Sequence, residues 1–415
     1  MLLKSIIVLL LIAVIVMGLA GCALPVKAND LMDEISPNSV DGKTLDTSYA
    51  VSMADFSIKL FKKSIMEKEN SLISPFSVML ALAMTANGAE GETLAQMESL
   101  LSGDILLSEL NEYLYSYAYG FSDTNKAKLK IANSIWFRDE KDRLQVNVDF
   151  LQINADYYGA AAYKSAFDAQ ALKDINGWVR SNTDGMIERI IDDIDKNAML
   201  YLINAVTFDA EWKDIYTDSA VHEGVFTNIL GEAQTVDFMH SQESKYLDDG
   251  KATGFIRPYA RGYSFVALLP NEDVSMEEYI DSLAGKGFLD TLANASRDKV
   301  IVSIPKFGYE YNITMNDALK ALGMTDAFDV HMANFNKMGT SPEGPLYISE
   351  VLHKTFIAVD ERGTRAGAAT AVAVAPSTAL QLELPKIVHL ERPFVYAIID
   401  DATNLPIFIG TVMSV

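Results

Sequence analysis

The side chains able to do chemistry are few in this sequence, and none is spaced for catalysis. The five histidines, His222, His240, His331, His353 and His389, include no pair at i, i+4. That spacing is what lets one helix face present two imidazoles to zinc. Cys22 is the only cysteine, so no Cys/His metal cluster can form. There is neither a Gly-x-Ser-x-Gly elbow nor a glycine-rich phosphate cradle. A serine triad drawn from distant segments is recognised by geometry and stays open at this level. The expectation is a protein that is not an enzyme and holds no metal and no cofactor.

The one chemically distinctive position is near the start. Lys4 supplies a short positive region, and Ile6 to Ala20 is an almost unbroken apolar run. Such a run is too short for a membrane span with ordinary flanks and reads as an export signal. It closes on Leu19-Ala20-Gly21-Cys22, which resembles the bacterial lipobox. That motif implies cleavage after residue 21, acylation of the Cys22 thiol and attachment to a membrane. A plain secretory signal or an uncleaved anchor is the alternative. With Cys22 acylated, the mature chain has no disulfide and no thiol nucleophile.

The elements that follow must form one large body. The chain has 415 residues, 49% hydrophobic and 10% aromatic, enough for a sizeable core. Its formal net charge of −22 is spread along the sequence. That charge disfavours nucleic acid and a heparin-type polyanion cofactor, and it suits a solvated surface and a monomer. Residues 22–49 carry Pro25, Asn29, Pro37, Asn38 and Gly42 with weak periodicity, and read as a tether. From about residue 50 to 415 no second linker and no repeat appears. Helical spacing is clear in 54–65, 77–86 and 94–101, and fits 106–117 and 171–183. Strand-like stretches follow at 130–136, 202–208, 265–269, 300–305, 348–359, 394–399 and 407–412. Helices dominate early and strands late, which indicates α+β. Residues 363–384 stand apart, rich in Ala, Thr and Val.

Several segments, in order, resemble the serpin family. They are Asn70-Ser71-Leu72-Ile73-Ser74-Pro75-Phe76-Ser77, then Ile131-Ala132-Asn133 before Trp136-Phe137, then Ile203-Asn204-Ala205-Val206 with Trp212. Pro305-Lys306-Phe307, Leu322-Gly323-Met324 and Ala327-Phe328 come next. His353-Lys354, Asp360-Glu361-Arg362-Gly363-Thr364, Arg392-Pro393-Phe394 and Pro406-Ile407-Phe408-Ile409-Gly410 complete the set. The resemblance implies eight to nine helices around three β-sheets with an exposed reactive-centre loop. It also implies an irreversible, suicide-type inhibitor of serine proteases, with papain-like cysteine proteases as a second target class. In that mechanism the protease is acylated by the loop, which then enters the central sheet as a new strand.

Insertion requires one alternating set of loop residues to be small or β-branched and the other merely tolerant. Thr364, Ala366, Ala368, Thr370, Val372 and Val374 form the first set; Arg365, Gly367, Ala369, Ala371, Ala373 and Ala375 form the second. Arg365 departs from the acid usual in the family, on the tolerant face. No proline interrupts 363–375, so every donor remains for the ladder. Glu361, Gly363, Thr364, Ala366, Ala368 and Thr370 are the expected hinge. A non-inhibitory serpin serving as a binding or carrier module is the rival, and its hinge would carry bulky, charged or proline residues inward.

By the same resemblance Ser74, Ser77, Asn204 and His353 form the family's shutter, a polar cluster beneath the point where the sheet opens. Ser74 and Ser77 alone would equally suit a helix N-cap. Trp212 and Lys306 fall in the breach, where the loop enters first, with Glu361 as partner of Lys306. Family spacing from Gly363 places the reactive bond at Ser377–Thr378, in an elastase- or subtilisin-type context. Counting back from Pro393 instead reaches Leu382, so Leu380 or Leu382 is the alternative.

Overall fold

The computed structural model describes residues 26–121, 124–139, 141–342, 344–364 and 385–415. Among them are nine α-helices and three main sheets, of seven, six and four strands, plus one two-stranded pairing. The α+β expectation therefore holds.

The seven-stranded sheet organises the molecule. Across it run Asn29–Asp30, Ala161–Ser165, Ala127–Arg138, Leu200–Glu211, Gly363–Thr364, Glu350–Asp360 and Phe307–Thr314. Two of these, Leu200–Glu211 and Glu350–Asp360, are called the slot strands below. They run parallel and pair directly from Tyr201↔Glu350 to Thr207↔Phe356. Above Thr207 the short Gly363–Thr364 strand lies between them, antiparallel to both. The first slot strand is buried on both faces from Leu200 to Phe208, with Asn204 and Thr207 as its polar residues there, as expected for a strand in the middle of a covered sheet.

Behind the slot runs the helix Pro75–Ala86, every residue of it buried. Proline at its first turn needs no hydrogen-bond partner and presets the helical φ, and the run Phe76 to Ala86 is apolar on all sides but for Ser77 and Thr85. A helix of that composition is stable only when enclosed. It packs on the first slot strand and on Pro406–Val412 of the six-stranded sheet, so it joins two sheets into one core. The four-stranded sheet is ordered Lys386–His389, Val300–Pro305, Ala233–Glu243, Val221–Thr227. Residues 365–384 thus connect the top of the slot to the edge of that sheet.

The tether expected over residues 22–49 needs correction in its described part. Asn29 and Asp30 pair with Lys164 and Tyr163 as an edge strand of the central sheet, and the Ala28 N–H donates to Asp174 Oδ2 at 2.9 Å. Leu31, Met32 and Ile35 pack against the core, and Asp46 caps the first helix, Thr47–Ser64, by accepting from the Tyr49 N–H. A segment without periodicity is held here by isolated anchors.

Candidate functional site

The slot ends, above and below, in two clusters. The lower one lies where the slot strands pair directly. His353 and Asn204 stand opposite one another, both fully buried. The Ser74 N–H donates to His353 Nε2 at 3.1 Å. Because Nε2 accepts, the ring proton sits on Nδ1 and is donated to Asn204 Oδ1. The Asn204 amide donates in turn to Ser77 Oγ and Asn133 Oδ1, and the Asn133 amide donates to the Ser77 carbonyl at 3.3 Å. Burial pushes the His353 pKa down to about 3, so the ring is neutral. The cluster contains no formal charge.

Of the four residues expected together, Ser77, Asn204 and His353 share one side-chain network, and Ser74 joins it through its backbone N–H alone. Ser74 does occupy the N-cap position of Pro75–Ala86, yet its hydroxyl makes no capping bond; its backbone N–H is what engages the histidine. Asn133 belongs to the network as well. It stands directly opposite Asn204 across neighbouring strands, a relation that becomes visible only once the two strands are aligned.

The upper cluster grips the base of the loop. Trp212 is buried and donates from Nε1 to the Asp360 carbonyl at 2.8 Å, while its N–H donates to the Arg362 carbonyl at 2.7 Å. The Tyr216 N–H reaches the Glu361 carbonyl at 2.9 Å. Lys306 Nζ pairs with Glu361 Oε2 at 2.8 Å, which holds the Glu361 carboxyl below the usual carboxylate range. The pair is partly exposed, so it contributes position more than stability. The Gly363 backbone lies so close to the first slot strand that a Cβ there would stand 1.9 Å from the Ala210 carbonyl oxygen; no other residue fits. Thr364 follows it into the sheet and is 1% exposed, on the inward face expected for it. Ala366, Ala368, Thr370, Ser377, Thr378, Leu380, Leu382 and Cys22 lie outside the described residues.

Tyr259 also belongs to the upper cluster and carries no sequence signal. It is fully enclosed, stacks on Trp212 with ring centroids 4.5 Å apart and an interplanar angle of 4°, and hydrogen-bonds Thr364 Oγ1.

The short Gly363–Thr364 strand already lies between the slot strands at their upper end. His353 is the buried imidazole of the cluster and both its nitrogens are occupied. Among the described residues no group of three or more His, Cys, Asp or Glu could hold a metal.

Comparison with known proteins agrees with this geometry. The family model described as serpin (serine protease inhibitor) matches residues 51–415. Human serpin B8 is 32% identical over 379 residues, covering 86% of this chain and 96% of that protein. An uncharacterized serpin-like protein of Thermococcus kodakarensis is 30% identical over 368 residues, covering 86% and 84%. Among solved structures, the thermophilic serpin tengpin in its native state is 54% identical, with a TM-score of 0.90 over 94% of this chain and all of that one. The same protein in its latent state gives 0.80 over 90% of this chain and again all of that one. The conformation described here is thus the more similar to the native one. Members of this family are in the main protease inhibitors and not enzymes. With the family model matching residues 51–415 and a relative 32% identical over nearly all of its own length, the chain belongs to the serpin family.

Proposed function

We propose that the protein is an irreversible inhibitor of extracellular serine proteases, lipid-anchored through Cys22, that works by cleavage and insertion of residues 364–377. The observation that carries the reading is the unfilled slot with its first two residues already seated. Thr364 stands opposite Ala210 and Val359. Six residues further along the same antiparallel register, Thr370 arrives between Asn204 (210 − 6) and His353 (359 − 6), the two residues that now face each other. Insertion therefore replaces the His353–Asn204 contact with a strand that brings a hydroxyl. Ten residues along, Val374 reaches Leu200 (210 − 10), where the first slot strand begins.

That length bears on the bait bond. With Ser377–Thr378 as the bond, the inserting residues fill the slot and three more link them to the protease. With Leu382 as the bond, eight residues beyond Val374 would overrun the sheet. The acylation step is ordinary: the protease serine Oγ attacks the Ser377 carbonyl, the Ser377–Thr378 bond breaks, the Thr378 amine leaves with the proton, and Ser377 remains as an ester. Strand insertion then carries the protease away from its own catalytic geometry.

Incubation with elastase or subtilisin tests this. A complex that survives a denaturing gel, with release of a C-terminal fragment beginning at Thr378, is the expected result. A fragment beginning at Gln381 or Glu383 moves the bond to the alternatives, and quantitative cleavage without complex leaves the carrier reading.

A further inference from the structure

We infer that Tyr259 is a positioning residue for loop insertion: its hydroxyl seats Thr364 in the top of the slot and commits the loop to enter there. The inference rests on the inhibitory reading above and adds a residue to it. Thr364 lies between two parallel strands that pair with each other only from Thr207 and Phe356 downward. It is therefore the wedge between them. A wedge two residues long has few ladder bonds of its own, and Thr364 is followed directly by residues that must be free to meet a protease. Something else must keep it seated.

Tyr259 is built for that role. Its hydroxyl has Thr364 Oγ1 as hydrogen-bond partner. Its ring is fixed from two sides, by the stack on Trp212 and by the edge of Phe208 at 5.2 Å. Phe208 is two residues along the first slot strand from Ala210, the residue opposite Thr364. Trp212 is clamped in turn: the Arg257 guanidinium lies 4.9 Å over its ring and 4.0 Å over that of Tyr216. Arg257 is itself held by Glu243 and by the Asp214 carbonyl at 2.6 Å. A chain of rigid groups thus ends on one hydroxyl aimed at the hinge. A ring so enclosed cannot follow Thr364 if the hinge moves, so the bond is made in the seated position and lost outside it. Burial keeps the phenol protonated and able to donate.

Once the bait bond is cut, insertion competes with hydrolysis of the ester. A seated hinge starts that race two residues ahead. Removing the seat should slow insertion and leave protease attack on the bond unchanged, so more inhibitor is turned over as substrate. The test compares Tyr259→Phe, Thr364→Val, the double variant and Thr364→Ser. The readouts are the number of inhibitor molecules consumed per protease trapped, the second-order rate of attack, and deuterium exchange of a peptide covering residues 360–364. Tyr259→Phe and Thr364→Val are each expected to raise consumption about two- to ten-fold and to speed exchange, with the attack rate unchanged. The double variant should be no worse than either single, because one bond is shared, and Thr364→Ser should restore trapping. Additive effects, or unchanged consumption and exchange in Tyr259→Phe, overturn the assignment. If the unmutated protein traps no protease, the inhibitory reading fails, and the exchange measurement still decides whether Tyr259 seats the hinge.

Discussion

Acid should open the slot through His353. Nε2 accepts from the Ser74 N–H and Nδ1–H is donated to Asn204, so an added proton can go only on Nε2, where it would confront the Ser74 N–H. The groups in contact with the ring, Ser74 and Asn204, and those next to them, Ser77 and Asn133, are all neutral. No carboxylate compensates, and burial alone lowers the pKa from 6.5 to about 3. A group whose folded pKa lies below its unfolded value stabilises the fold fully above the unfolded pKa, and that stability is lost as pH falls toward the folded one. At about 1.4 kcal/mol per pH unit, acidification from pH 7 to 4.5 crosses about two units of this window and costs about 2–3 kcal/mol. Denaturant midpoints of the unmutated protein and of His353→Gln at pH 7 and 4.5 measure it. Carboxylates and the other histidines are common to both and cancel. The unmutated protein should lose about 2–3 kcal/mol more than the variant, which is itself weaker at pH 7. Equal losses in the two would refute the reasoning.

Three further outcomes are expected. Thr364→Arg puts an unpaired guanidinium on the buried face between Ala210 and Val359, at a cost of several kcal/mol; gels should show cleaved inhibitor in place of complex, while Arg365→Glu, in the set of loop positions expected to tolerate a polar side chain, should leave trapping intact. Cleavage in the loop should raise the melting temperature by more than about 10 °C, since about ten new ladder bonds at roughly 1 kcal/mol each join the central sheet; equal melting before and after nicking counts against inhibition. Cys22→Ser should release the protein from the membrane fraction or leave its signal uncut, as fractionation and intact mass will show.

The sequence exposed elements whose periodicity was long and left hidden those that were short. The helices found at 54–65, 77–86, 94–101, 106–117 and 171–183 are Thr47–Ser64, Pro75–Ala86, Gly91–Leu101, Leu107–Gly120 and Ala169–Asn182 in the structure. Of the four that escaped, Met276–Ser282, Gly285–Ala293 and Asn316–Ala321 have at most nine residues, too few turns to show a repeat. Val148–Tyr158 is longer, but only four of its eleven residues are buried. Among the strands that escaped, Val221–Thr227 and Ala233–Glu243 lie in the four-stranded sheet, with much of their surface in water, where the apolar alternation is broken. Residues 28–46 defeated the reading differently. They are held by single bonds to partners such as Asp174 and Asp156, more than 100 positions away, and a window sliding along the chain cannot register such anchors.

The site divides along the same line, and the division follows from what a gate requires. Strands that must later separate cannot be closed by interlocked aliphatic side chains, because a close-packed core resists parting without a partner to fill it. They can be closed by neutral hydrogen-bonding groups, each of which can exchange one partner for another at little net cost. His353, Asn204, Ser77 and Asn133 are such groups. In the sequence, the resemblance to the family marks His353, Asn204 and Ser77, whereas Asn133 is revealed only by its register opposite Asn204. The grip on the hinge obeys the opposite rule. On the proposed mechanism it has to stay fixed as the slot opens, and it is made of stacked rings, Trp212 on Tyr259 with Arg257 over Trp212. Aromatic residues in a core look like any other core, so nothing in the sequence set Tyr259 apart. Only its hydroxyl, 105 positions from Thr364, distinguishes it. On the proposed mechanism the lower cluster lets go while the upper one holds, so a cut loop would enter the slot from Thr364 downward.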